Sequence, residues 1–165
     1  MRLRKLELKD APLMLEWMHD KNVVKDLRTN FLVKTVADCE KFIKSSWNDP
    51  SNWNMAIVDE QDCYMGTVSL KNIKDRSAEF GITVRACAMG KGYSIWGMRE
   101  AIKYGFEECG VSEIYWCVSP ENIRAVRFYD KNGFERVEAK ELGEIDGYTQ
   151  EQVDAYVWYL VKKVG

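Results

Sequence analysis

Residues 3–8 alternate apolar and charged side chains, the period of a half-buried strand. Asp10 then stands where a helix cap is expected. It precedes a run that carries Leu13, Met14 and Trp17, with Pro12 in its first turn. Thr35 is a second cap, with Asp38 three residues on, and the helix after it places Val36, Cys39, Phe42 and Ile43 on one face. Asp49, Pro50, Ser51 and Asn52 form a turn signal. Residues 53–58 and 64–70, parted by the polar run 59–62, predict a hairpin. A further strand is expected at 78–84, with Phe80, Ile82 and Val84 on one face and Glu79, Gly81 and Thr83 on the other. From Gly92 to Cys109 the period lengthens: Ile95, Met98, Ile102, Phe106 and Cys109 make a helical stripe, and Gly110 fits the position past its end. A strand at 114–118, a short helix at 120–131, a turn at Asn132-Gly133 and strands at 134–137 and 153–161 complete the chain. This order predicts a mixed sheet covered by helices.

Composition narrows the picture. The 165 residues suit one domain spanning 1–165. With 46% hydrophobic and 30% charged residues the chain is expected to be globular, not disordered. A net charge of -2 offers no basic surface for nucleic acid. Apolar runs are too short for a membrane span. The basic start, Met1 to Leu6, meets Glu7 and Asp10 rather than an apolar core, so no signal peptide is expected. Five cysteines without a paired spacing, and one histidine, His19, predict reduced thiols in a cytoplasmic protein and no metal site. Any Ser-His-Asp or Cys-His mechanism would have to use His19.

Two segments carry candidate chemistry. Residues 85–94 run Arg-Ala-Cys-Ala-Met-Gly-Lys-Gly-Tyr-Ser between a strand and a long helix. Glycines at alternate positions let the backbone turn tightly, and the first N–H groups of the helix sit at its positive end. Such a turn binds phosphate, although the nucleotide P-loop and dinucleotide spacings are both absent. A plain strand-to-helix turn is the alternative. The second segment, residues 122–134, reads Asn-Ile-Arg-Ala-Val-Arg-Phe-Tyr-Asp-Lys-Asn-Gly-Phe.

That second segment resembles the C-terminal signature N-x-x-A-x-x-x-Y-x-x-x-G-F of the GNAT superfamily of N-acetyltransferases. The strand, Gly-rich turn and helix upstream match the order of that family's acetyl-CoA site. Ala78-Glu79-Phe80-Gly81-Ile82 and Asp154-Ala155-Tyr156 are similar to the branch of ribosomal-protein and spermidine acetyltransferases. Glu40 to Lys44 and Asn48-Asp49-Pro50 resemble acetyltransferases of amino-sugar nucleotides. The resemblance implies an α/β fold (α+β in some schemes) with a mixed, mostly antiparallel sheet of about seven strands and about four helices. It implies acetyl-CoA as the cofactor, phosphate contacts from Met89, Gly90, Lys91, Gly92, Tyr93 and Ser94, and a pantetheine arm lying along Ile82, Thr83 and Val84. Asn122 would hold the arm from the other side. Where the family often has Gln or Arg this chain has Cys87, so Arg85 or Lys91 is expected to supply the charge.

The resemblance also assigns roles. Tyr129 matches the tyrosine beside the sulfur and is expected to act as general acid, since a phenol stays protonated at neutral pH. Glu79 matches one family position for the base, with water alone as the alternative; Cys117 stands where other members carry a Glu. Cys117 as a covalent nucleophile lacks a His or Lys partner to lower its pKa, and direct attack by the amine is the simpler scheme. A strand N–H near Ile82 would stabilise the oxyanion. Trp17, His19, Trp47, Trp53 and Tyr148 fall in segments that would build the acceptor pocket, where Glu16, Asp20 or Glu144 would attract a cationic amine. Each aromatic residue has core packing as its other explanation. The expected acceptor is a small-molecule amine: an amino-sugar nucleotide, polyamine or aminoglycoside. N-terminal protein acetylation and a non-catalytic acyl-CoA sensor are the alternatives, and a homodimer is an expectation from the resemblance.

Overall fold

The predicted hairpin forms as β2 (Trp53–Val58) and β3 (Tyr64–Lys71), paired antiparallel from Trp53 opposite Leu70 to Val58 opposite Tyr64. In the computed structural model, which describes residues 1–143 and 145–165, this hairpin lies inside a seven-stranded sheet of order β1-β2-β3-β4-β5-β7-β6. The other strands are β1 (Arg2–Lys5), β4 (Ser77–Val84), β5 (Glu113–Val118), β6 (Arg136–Val137) and β7 (Val157–Lys162). Among the described residues there are six helices: α1 (Ala11–Met18), α2 (Lys21–Val24), α3 (Val36–Ser46), α4 (Tyr93–Glu107), α5 (Ile123–Lys131) and α6 (Gln150–Ala155). No helix among those residues is long and apolar enough to cross a membrane.

Every neighbouring pair of strands is antiparallel except β4 and β5. That parallel pair matches only Ser77–Glu79 with Glu113–Tyr115. Beyond Glu79 the two strands part, so β4 from Phe80 to Val84 is unpaired on that side. This opening decides where the site is.

Alternation sorts the strands between two layers. On one face Ile57, Val68, Leu70, Phe80, Ile114 and Trp116 are buried under α4 and α5. On the other, Ala56, Val58 and Tyr64 are covered by α1 to α3, and Tyr115, Trp158 and Leu160 pack with Leu142. The two groups on this second face leave Glu79, Gly81 and Thr83 between them.

Several elements differ from expectation. The first strand stops at Lys5, because Leu6 turns into the core and Leu8–Asp10 forms a 3-10 turn. Asp10 does not cap α1 with its side chain. Its buried carboxylate instead accepts two hydrogen bonds from the Arg4 guanidinium, both at 2.8 Å, and one from the Glu7 N–H at 2.8 Å. Thr35 and Asp38 do form the expected capping box. In α4 the buried positions are Gly97, Met98, Ala101 and Gly105, so the inward face is offset from the apolar stripe. The helix sits too close for larger residues: a Cβ on Gly97 would lie 2.6 Å from Ile57 Cδ1, and one on Gly105 2.8 Å from Ile114 Cδ1. The expected helix at 120–131 begins at Ile123, and the strand at 134–137 shrinks to Arg136–Val137. The strand expected at 153–161 starts at Val157, because Thr149 and Gln152 form a capping box that makes Gln150–Ala155 helical. Since β6 pairs with β7 at Tyr159 and Trp158, the final strand lies inside the sheet rather than at its edge.

Candidate active site

The second signature segment folds locally for reasons its residues supply. Asn122 Oδ1 accepts from the Ala125 N–H at 3.2 Å and caps α5. Gly133 closes the helix at φ 79°, a conformation that favours glycine. Phe134 N–H donates to the Tyr129 carbonyl at 3.1 Å, which brings the Phe134 ring back under the helix. There Trp116 gathers an aromatic cluster. Its ring is 5.2 Å from Tyr129, 5.3 Å from Phe134 and 5.5 Å from both Phe80 and Tyr159. Tyr129 is wedged in a single position by these rings. Its hydroxyl makes no hydrogen bond among the described residues. Burial, with Tyr159 and Cys117 nearby, pushes the phenol above its usual range, so it is a neutral donor at physiological pH.

Two cavities meet at this tyrosine. The first, about 390 Å³, lies between β4, the turn before α4, and α5. Ile82, Thr83, Val84, Met89, Gly90, Gly92, Ser94 and Asn122 all line it. Gly90 (φ 74°) and Gly92 (φ 88°) both adopt left-handed backbone, Gly92 as the residue that caps α4. A Cβ at Gly90 would meet nothing within 4 Å and one at Gly92 only Met1 Cε at 3.7 Å, and the first N–H groups of this 15-residue helix have no intrahelical partner. Of the remaining expected contacts, Lys91 is exposed and Tyr93 packs against the core; neither lines the cavity. Arg85 does not supply charge to the turn either: it pairs with Glu16 at 2.5 Å and donates to the Tyr64 carbonyl at 3.1 Å. Arg124, in the first turn of α5, lines the cavity instead. It lies within the signature, but nothing in that pattern marks it as a ligand-facing cation.

The second cavity, about 270 Å³, opens on the other side of the β4–β5 gap. It shares Leu27, Ile82, Thr83, Asn122, Ala125 and Tyr129 with the first, so the two adjoin at the β4–β5 gap. Glu79 and Tyr148 line it. Glu79 is buried, accepts a hydrogen bond from the Tyr148 hydroxyl, and lies 3.8 Å from Lys71 Nζ. Burial, and then the neighbouring Cys117 and Glu79, raise the Tyr148 phenol well above its ordinary range. The Cys117 thiol is pushed up to about 11, chiefly by burial, and is therefore protonated rather than nucleophilic.

Four expected pocket residues lie elsewhere. Trp17 is buried under the second face, donating to the Tyr64 hydroxyl at 3.0 Å. Trp47 and Trp53 line a separate hollow beyond β1 and β2; Trp47 donates to the Leu6 carbonyl at 2.7 Å and Trp53 stacks on Tyr104 at 4.3 Å. His19 is exposed, with Nε2 2.8 Å from the Lys34 carbonyl oxygen. Of the acidic candidates, Glu16 is held by Arg85, Asp20 caps α2, and Glu144 lies outside the described residues. Each described side chain among these is anchored by a specific partner, which spacing along the chain does not reveal. The charged residues that do line the second cavity, Asp26, Arg28, Lys71 and Glu79, include three that the sequence did not single out.

The parted β4–β5 pair, the left-handed glycines ahead of α4 and the tyrosine on α5 define an acyltransferase architecture. The chain belongs to the GNAT family: the acetyltransferase (GNAT) domain matches it over residues 1–135. It is similar to the uncharacterised N-acetyltransferase p20 of Bacillus licheniformis, 28% identical over 171 residues, which take in 98% of this chain and 92% of the relative. Acetyltransferase PseH of Campylobacter jejuni is 26% identical, with 78% of this chain and 79% of the relative covered. Among solved structures, spermidine N-acetyltransferase from Vibrio cholerae in complex with CoA and spermine matches with a TM-score of 0.77. It is 24% identical, covering 98% of this chain and 94% of that one, and the likeness is one of fold.

Proposed function

We propose that this chain, working as one unit over residues 1–165, transfers the acetyl group of acetyl-CoA to a primary amine of a small molecule. Amino-sugar nucleotides, polyamines and aminoglycosides are the candidate acceptors. The observation that carries the proposal is the pair of adjoining cavities at the β4–β5 gap, which share Tyr129 in their lining. A bound thioester and a bound amine can approach there from opposite sides.

The residues of the first cavity fit coenzyme A. The edge of β4 from Phe80 to Val84 has no strand partner on the β5 side and offers backbone groups to an extended amide-bearing arm. The side-chain-free turn at Gly90 and Gly92 offers N–H groups at the positive end of α4 to phosphates. Arg124 adds a cation at the same cavity. Bound there, acetyl-CoA supplies an acetyl thioester: a C–N bond forms to the amine as the C–S bond breaks.

Tyr129 holds a proton at its hydroxyl oxygen and gives it to the departing sulfur; burial of the phenol keeps that proton in place until it is needed. Glu79 takes the proton lost by the amine, directly or through water, and the Tyr148 hydroxyl orients its carboxylate. A backbone N–H on the free β4 edge near Ile82 holds the carbonyl oxygen. Cys117, protonated, takes no covalent part.

The test is thiol release from acetyl-CoA across UDP-amino sugars, spermidine, aminoglycosides and short peptides, with wild type and Tyr129→Phe. Turnover of a small amine, reduced about tenfold or more in the Phe variant, is expected; that loss is about 1.4 kcal/mol of barrier. If acetyl-CoA neither raises the melting temperature nor reacts, the proposal is wrong.

A further inference from the structure

The second cavity carries charges of both signs in an ordered arrangement. The Arg28 guanidinium lies over the Tyr148 ring, 4.1 Å from its centroid. Tyr148 donates to Glu79, and Glu79 is 3.8 Å from Lys71 Nζ. One buried carboxylate is thus flanked through a tyrosine by one cation and directly by another. Lys71 stands opposite Glu79 in the β3–β4 register, and Gly81 is on the same face. A side chain at Gly81 would come within 3.4 Å of Lys71 Cε and 3.5 Å of Nζ, so the glycine leaves the lysine room to lie across β4.

Both cations have unused hydrogen-bonding capacity. Lys71 Nζ makes no hydrogen bond among the described residues. Arg28 donates one guanidinium N–H to the Gly147 carbonyl, and the rest of its fork has no hydrogen-bond partner among those residues. A guanidinium fork and an ammonium together match the oxygens of a phosphate or carboxylate. A polycation meets the opposite situation. The cavity's described charges, Asp26 and Glu79 against Arg28 and Lys71, cancel. The buried carboxylate already has a cation beside it, and each further ammonium would approach like charges.

We propose that the acceptor is an amine that also bears an anionic group, phosphate or carboxylate, held by Arg28 and Lys71, and that polyamines are poor acceptors. This rests on the acetyltransferase function proposed above and narrows its substrate class. The cavity volume of about 270 Å³ suits a ligand of sugar size with its amine toward Tyr129.

The test is calorimetric binding to the CoA-saturated protein of four probes: glucosamine, glucosamine 6-phosphate, muramic acid and spermidine. At least one of the two anionic amines is expected to bind about tenfold tighter than glucosamine, and spermidine more weakly than glucosamine. The choice between 6-phosphate and muramic acid tells which anion is recognised. Lys71→Met and Arg28→Gln are each expected to shrink the anionic advantage, and Lys71→Glu to turn preference toward spermidine. Binding of CoA itself, followed in the same variants by the rise in melting temperature, reads the first cavity alone. If CoA binds but neither anionic amine outbinds glucosamine, or spermidine outbinds both, the inference falls and the proposed function stands. If CoA does not bind, both fall.

Discussion

Replacing Gly66 with alanine would drive a methyl group into β4 at the wall of the first cavity. Gly66 on β3 faces Val84 on β4. A Cβ there would lie 2.6 Å from the Thr83 carbonyl oxygen, 2.8 Å from Val84 Cγ1 and 3.0 Å from Val84 Cα. A carbon–oxygen contact is ordinarily no closer than about 3.3 Å, so the strands must part by roughly 0.7 Å. Two of the three obstructing atoms are backbone, which cannot rotate aside. Overpacking of this kind costs about 1–3 kcal/mol, and removing a glycine from a strand offsets about 0.5–1 kcal/mol of it. Taken at the middle of each range the net loss is about 1.3 kcal/mol, or roughly 3–5 °C in melting temperature for a chain of this size. The displacement falls on Thr83 and Val84, so kcat/KM for acetyl-CoA is expected to drop roughly tenfold or more. Thermal denaturation and thiol-release kinetics measure the two effects. Gly81→Ala is the stability control, because its nearest neighbour is the flexible end of Lys71 at 3.4 Å. A Gly66→Ala protein with wild-type melting temperature and kinetics would refute the reasoning.

Two further predictions concern titration. Lys9, at 2.5 Å, and Arg4, at 2.9 Å, hold the Asp62 carboxylate down to about 2 from 3.8. A lowered carboxylate pKa stabilises the fold above the unfolded value, and that contribution is lost as pH falls from about 4 through about 2. Asp62→Asn, which keeps the left-handed backbone at φ 63°, is therefore expected to lower the melting temperature near neutral pH. The difference from wild type should vanish near about pH 2, and a difference that persists there would show that charge is not its source. Among the cysteines, exposed Cys87 is expected to be alkylated by iodoacetamide well before Cys117, whose thiol ionises only toward about 11. Peptide mass spectrometry across pH reads the order, and early labelling of Cys117 at neutral pH would revive a covalent route.

What was legible in the sequence was local. Asn122, Tyr129, Gly133 and Phe134 fall within one short helix and its two ends, so their relations are fixed by helix geometry and by the turn that follows. The glycines at 90 and 92 are similarly local, because a left-handed turn before a helix leaves its mark on the residues that make it. Tryptophans carry no such mark. Trp17, Trp47 and Trp53 bury large apolar surface wherever the chain provides a hollow, and their N–H groups or rings found partners in Tyr64, Leu6 and Tyr104 rather than at the site. The inward face of α4 was shifted for a similar reason. Its apolar stripe measures hydrophobicity, while close packing over Ile57 and Ile114 selects the positions with the least bulk.

By itself the sequence determined the local elements that line the candidate site: the capped helix with its tyrosine, the glycine turn, and the strand bearing Glu79. Only the tertiary structure decided how they meet. The parallel pairing of β4 with β5 ends at Glu79, and two adjoining cavities beside the gap beyond it share Tyr129. The fold also brings Lys71 and Tyr148 to the Glu79 carboxylate and Arg28 over the Tyr148 ring. Such convergence depends on strand order and on where two strands part, which are properties of long-range pairing and leave no period or spacing along the chain.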